Sequence, residues 1–254
     1  MNILLHFFII IIIIIFYFNI YEQNKIVSTI EIYENDYTNN NDFQKICKKD
    51  PIITEMNDLY INPVDSSFNV NLFDVKDDSN IIIPYETLNA SIQHHKKNKY
   101  YTKHNFIYGE PEFSKYIKPA SCFFSNLEII GGSEDIKTKN YVHNYYRTFL
   151  YVENGSVAIQ IKPMENETIT PDYVNYVFNV ENDNDDKFVN FTMSQGQMLY
   201  MPPNTIYNIT YTDSSILHKY AYHSISSFIS NINHICLYYL QQTNTENNLM
   251  LKKI

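Results

Sequence analysis

The sequence contains no tryptophan, only five glycines and only three cysteines, and each shortage excludes something. So few glycines argue against a glycine-rich nucleotide-binding design, whose phosphate loops need backbone free of Cβ. Cys47, Cys122 and Cys236 lie far apart with no CxxC pair, which excludes a zinc ribbon and leaves at most one disulfide with one thiol over. Positive charge is also short. Nineteen Lys and Arg against 28 Asp and Glu give a formal net charge of −9, so no basic face is expected and no nucleic-acid partner.

What is abundant points to strands. The chain carries 23 Tyr and 16 Phe beside a long roster of Ile and Val, and its 254 residues suffice for one good-sized core. One main domain, mostly β, is expected. The richness in Asn gives the Asn-x-Ser/Thr sequons at Asn89, Asn154, Asn166, Asn190 and Asn208 little weight beyond permitting a secretory location.

Residues 3–20 read ILLHFFIIIIIIIFYFNI, broken only by His6 and Asn19. At 1.5 Å per residue this run is about the length of a bilayer-crossing helix. The bulky Phe16, Tyr17 and Phe18 leave no small-residue cleavage site, which favours an uncleaved signal anchor over a cleaved signal peptide. The expected protein is therefore single-pass, held in the membrane through residues 3–20, with its globular part in the secretory lumen or outside. Residues 21–80 alternate short apolar pieces with Asn/Asp/Lys stretches and read as a spacer whose later part adds edge strands. Residues 81–254 form the expected domain.

Within that domain Leu88, Ile92 and His95 fall at helical spacing after Pro84, and Pro111 opens a second helical pattern through Phe113 and Ile117. His94 and His95, with Lys96, Lys97 and His104, read as a solvated basic face, because adjacent histidines point to different helix faces. The acidic stretch 181–186 lacks the glycine and closing glutamate of a calcium loop and reads as a solvated tip. Strands are expected at 122–130, 146–153, 156–162, 173–180, 188–193, 197–201, 207–211 and 215–222, the spacing of a sandwich or barrel. Asn154-Gly155 between two of them predicts a tight hairpin. The tail 224–242 places Ile225, Phe228, Ile229, Ile232, Ile235, Cys236, Tyr239 and Leu240 on one helical face, with Ser224 as N-cap. That face packs on the barrel or meets a protein partner or a second copy of the chain.

Two segments carry a resemblance. His143 is followed by Phe149-Leu150, Val152 and Gly155, then by Ile159, Ile161 and Pro163. Gly196, Tyr200, Pro202 and Pro203 form a later turn and strand, and Tyr100 to Lys103 with Pro111, Phe113, Tyr116-Ile117 and Pro119 lead in. In order and spacing, residues 85–224 resemble the cupin-like, JmjC-type domain of the 2-oxoglutarate oxygenase superfamily. The resemblance implies a double-stranded β-helix, or jelly-roll, barrel with short flanking helices, an Fe(II) ion held by two histidines and a carboxylate, and 2-oxoglutarate as cosubstrate.

The departures bear on function. The first motif, His-x-Asp/Glu, is here His143-Asn144-Tyr145, and the second histidine falls on Tyr207. The aspartate after the motif glycine is Gln197, and the cosubstrate lysine beyond the hairpin glycine is Val157. His143 is thus the one metal-ligand candidate retained, with Tyr145 and Tyr207 at the degenerate positions and His218 or His223 as substitutes from the last strand. Asn144 and Arg147 are the candidate pocket residues, Arg147 as a carboxylate anchor. The expected function is binding or structure, with no cofactor and no catalysis. The alternatives are an active Fe(II)- and 2-oxoglutarate-dependent hydroxylase of a protein or small molecule, and a metal-free lectin-like or capsid-like jelly roll.

Overall fold

The structure, a computed structural model, describes residues 2–23, 29–56, 74–77, 81–94, 99–105, 113–165, 167–173, 176–181 and 187–244. His95 to Lys97, Pro111, Asn166 and acidic residues 182–186 lie outside that set. The strands are β1 (Tyr33–Asp36), β2 (Ile52–Glu55), β3 (Asp74–Asp77), β4 (Ile82–Pro84), β5 (Tyr100–Asn105), β6 (Cys122–Gly132), β7 (Tyr141–Val142), β8 (Arg147–Asn154), β9 (Ser156–Pro163), β10 (Thr168–Asp172), β11 (Val177–Glu181), β12 (Val189–Ser194), β13 (Gln197–Met201), β14 (Thr205–Tyr211) and β15 (Ser215–Ser224). The helices are α1 (Asn2–Gln23), α2 (Asn40–Ile46), α3 (Leu88–His94), α4 (Ser114–Ile117), α5 (Ile225–Ser230) and α6 (Ile232–Asn244), with a 3₁₀ turn at Tyr85–Thr87.

Among the described residues the strands form a nine-stranded sheet in the order β1-β2-β13-β8-β15-β6-β5-β3-β4 and a six-stranded sheet in the order β10-β11-β7-β14-β9-β12. Pairing is antiparallel except between β1 and β2. Period-two alternation sorts the side chains of β8. Leu150 and Val152 face the second sheet, packing with Val157, Ile159 and Ile161 of β9 and with Tyr207, Ile209 and Tyr211 of β14. Phe149 and Tyr151 face the other way, onto a core shared with Phe43 of α2, Leu88 and Ile92 of α3, and Phe113 and Ile117 at α4. The helices therefore cover the outer face of the large sheet, and the chain's polar interior lies between the sheets.

Three expectations change. Asn154-Gly155 does not close a hairpin, because β8 belongs to the large sheet and β9 to the small one. Only Gly155 of the pair has positive φ, at +80°, where the type I′ turn needs two such residues. The glycine instead turns a corner between the sheets, against Ser214 and Ser215 at the start of β15. Second, residues 33–56 do more than space: β2 pairs with β13, and Phe43, Cys47, Ile52 and Met56 enter the core. Sparse apolar residues suffice there because an existing sheet edge supplies the other half of the contact. Third, the tail is two helices broken at Asn231. Ser224 caps α5 as expected, its hydroxyl accepting from the Ser227 amide. Ile235 and Tyr238 are buried while Ile225, Ile229, Ile232, Leu237 and Leu240 are exposed. The break follows from Asn231, whose side chain donates to the Asn144 and Ser227 carbonyls and so cannot sit on a continuous outward face.

Candidate functional site

The interior between the sheets gathers His143, Tyr145 and Tyr207. The rings of His143 and Tyr207 stand 6.0 Å apart, and those of His143 and Tyr145 6.3 Å. His143 lies just before β8, held by its Nδ1 at 3.2 Å from the Thr148 hydroxyl and by its carbonyl, which accepts from the Asn204 amide at 3.1 Å. Asn204 sits at the corner between β13 and β14 with φ of +59°, a left-handed conformation that asparagine tolerates. Tyr207 follows on β14. The Nε2 of His143 is buried without a hydrogen-bond partner. Burial, and then the charge of Lys219, push the His143 imidazole down to about 3, so it is neutral at ordinary pH.

Lys219 and Glu128, which sequence reasoning missed, complete the cluster. They are register partners on β15 and β6, and the ammonium meets Glu128 Oε2 at 2.7 Å with side-chain exposures of 7 % and 4 %. The other carboxylate oxygen accepts from the Thr102 hydroxyl at 3.1 Å. The ammonium also lies 5.8 and 6.0 Å from the ring centres of Tyr145 and Tyr207. Burial alone would lower the lysine, but Glu128 overrides it and holds Lys219 above its ordinary range. Burial raises the Tyr207 phenol, with Lys219 opposing. A signal was present in the sequence: one charge of each sign stands inside two apolar strands, Leu127-Glu128-Ile129-Ile130 and Leu217-His218-Lys219-Tyr220. Charges placed so are buried only when paired.

His143, Tyr145, Tyr207, Glu128 and Lys219 line one cavity of about 20 Å³, room for roughly one water. Of the substitute histidines, His223 shares the inward side of β15 with Lys219, its ring 4.7 Å from that of Tyr145 and its Nδ1 2.7 Å from the Ser227 hydroxyl. Burial pushes it too down to about 3. His218 points to the opposite face of the sheet, where Nε2 meets Glu153 at 2.7 Å and the Tyr85 hydroxyl at 3.2 Å. Arg147 also faces outward, bonded to Gln44 of α2, and among the described residues it is not part of the lining of the cavity that holds His143. Asn144 joins the helical tail, its amide donating to Asn231 Oδ1 at 2.5 Å. Among the described residues no three His, Cys, Asp or Glu side chains converge as metal ligands would.

No protein-family model matches the sequence, and no curated protein matches it. Among solved structures the fold is similar to that of E. coli ycfD, with a TM-score of 0.52 and 13 % identity over 82 % of this chain and 59 % of that one. The chain thus spans less than two thirds of that protein's length. Streptomyces albus HEPD, in complex with 2-hydroxyethylphosphonate and Fe(II), aligns at a TM-score of 0.33 and 8 % identity over 55 % of this chain and 24 % of its own, too weakly to carry an argument. The likeness to ycfD fits a cupin-like fold.

Proposed function

We propose that the chain is a membrane-anchored, JmjC-type jelly-roll domain in which a lysine ammonium has taken over the interior that relatives of this type give to iron, and that it works by binding or as a structural unit. The globular part lies on the lumenal or outer side. The Lys219–Glu128 pair carries the reading. Ferrous iron asks for a carboxylate and imidazoles on an open face. Here Glu128, the carboxylate that lines the cavity with His143, is engaged through both oxygens, by Lys219 and Thr102, and a fixed cation stands beside His143, where a second cation would be repelled. Tyr145 and Tyr207 offer phenols that burial keeps protonated, which are poor ligands. The donor set does not fit ferrous iron, and a cavity sized for roughly one water leaves no room for a cosubstrate.

The test is anaerobic loading of the full chain with Fe(II), followed by metal analysis and an assay for 2-oxoglutarate decarboxylation. The native chain should retain no stoichiometric iron and release no succinate. A variant carrying Tyr145→Asp, Tyr207→His and Lys219→Ala should gain iron affinity. Stoichiometric iron with turnover in the native chain would establish the hydroxylase alternative instead.

A further inference from the structure

Arg147 has an environment that the interior site does not explain. It is 8 % exposed, and its Nη1 donates to the Gln44 carbonyl at 2.9 Å and to Gln44 Oε1, while Nη2 reaches the Tyr146 hydroxyl at 3.4 Å. Those are neutral acceptors. A guanidinium has five N–H donors, and no carboxylate pairs with this one among the described residues. Removing a cation from water without a counter-charge is costly, so such a group is a standing demand for an anion.

The space beside it can hold one. A pocket of about 210 Å³ on the outer face of the large sheet is lined by Arg147 together with Lys48, Tyr146, Tyr200, Ser226 and Asn19. Its lining includes two cations and no Asp or Glu. Lys48 is exposed at the rim. Asn19 belongs to α1, near the carboxyl end of the apolar run Leu4–Tyr21, and α1 packs on α5, which follows Ser224 at the pocket wall. The outward side chains of α5, Ile225 and Ile229, are exposed and apolar. Tyr17, Phe18 and Tyr21 mark the same end of α1 with aromatic residues of the kind that settle at headgroup level.

We propose that this pocket is a phosphate site that seats the phosphodiester of a phospholipid headgroup beside the end of α1. The free N–H edge of Arg147 supplies paired donors matched to two phosphate oxygens, Lys48 adds a second positive charge, and the Ser226 hydroxyl a neutral donor. The proposal rests on the membrane reading of α1 given above, and it is independent of the iron question.

The experiment uses the full chain in a maltoside detergent, which carries no phosphate. Binding of dihexanoyl-phosphatidylcholine, dihexanoyl-phosphatidylglycerol and inorganic phosphate is measured by calorimetry for the native chain and for Arg147→Gln, Arg147→Lys and Lys48→Gln. Both phospholipids should bind, Arg147→Gln should weaken them about tenfold or more, Arg147→Lys less, and Lys48→Gln by a few-fold. Equal affinity in the native chain and Arg147→Gln overturns the site. Inorganic phosphate binding as tightly as the phospholipids overturns the headgroup as its source. Should Arg147→Gln fail to fold, Lys48→Gln decides, because that side chain is exposed and an unchanged affinity there also sinks the proposal. Alkaline carbonate extraction of native membranes separates the two layers of the argument. Release of the chain refutes the anchor, whereas retention with headgroup binding indifferent to position 147 refutes the pocket alone.

Discussion

Replacing Lys219 with methionine keeps an unbranched apolar stem and removes the ammonium, leaving Glu128 charged inside the fold. At the observed 2.7 Å, and with an effective dielectric of about 20, the lost attraction is of order 6 kcal/mol. Part of that offsets the desolvation of the two ions, so the net penalty for stranding one partner should be about 3–5 kcal/mol, and Glu128→Leu should cost a similar amount by stranding the lysine. The double variant leaves no unpaired charge and costs only the acceptor of the Thr102 hydroxyl. It should fall within about 1 kcal/mol of the native chain, which requires a coupling of at least about 5 kcal/mol between the two sites. With no tryptophan present, unfolding in urea is followed by near-ultraviolet circular dichroism of the buried tyrosines, in a mild nonionic detergent. Additive single penalties, or a Lys219→Met variant within ~1 kcal/mol of native, would refute the claim that this ion pair holds the interior together.

Acid should destabilise the fold through His143 and His223, both pushed down to about 3. Their folded values lie below the unfolded one, so the unfolded chain binds more protons and stability present above about pH 6.5 is lost as pH falls toward 3. Between about pH 7 and pH 5 each contributes a loss of about 2 kcal/mol. Denaturation at those pH values should show the drop, and His223→Gln should roughly halve the slope; an unchanged slope contradicts the assignment. Gly155→Ala places a Cβ 2.4 Å from Ser215 Oγ and 2.6 Å from the Ser214 carbonyl at a φ of +80°, and should cost about 1–3 kcal/mol in the same assay. An unaffected midpoint would mean that the corner relaxes freely. The thiol of Cys47 is buried and pushed up to about 12 by burial, with Arg147 opposing, whereas Cys236 is exposed. Iodoacetamide at neutral pH should modify Cys236 and spare Cys47 until urea is added, as mass spectrometry can read; matching rates would speak against the packing around α2.

Most strands from 122 onward were legible because apolar alternation and turn residues are local properties, whereas β7 and β10 were not expected and the strand expected at 173–180 begins only at Val177. The partners of these strands were not legible. Asn154-Gly155 announces a tight turn whether the chain pairs with itself or crosses to another sheet, and only the two-sheet arrangement decides. The neighbourhood of His143, Tyr145 and Tyr207 followed from motif order, but what occupies it did not. Glu128 and Lys219 are 91 residues apart, and nothing local ties one to the other until β6 and β15 pair. Arg147 was read beside His143 because four residues is a short distance in sequence. On a strand, however, it lies on the opposite side from Thr148, which bonds His143. The strands before residue 60 stayed hidden because their apolar residues are too few to suggest a core and gain meaning only against the waiting edge of β13.

That edge fixes more than the sheet. By pairing with β13, β2 brings β1 along as its parallel neighbour, and Tyr33 is pinned where β1 begins. Only residues 24–32 then separate it from the last residue of α1, a leash of at most about 36 Å when fully drawn out. On the proposed reading, a domain on so short a leash cannot tumble freely above the bilayer. It keeps one side turned to the lipid and the other to the lumen, so whatever it meets in that membrane arrives by sideways diffusion, already facing the right surface.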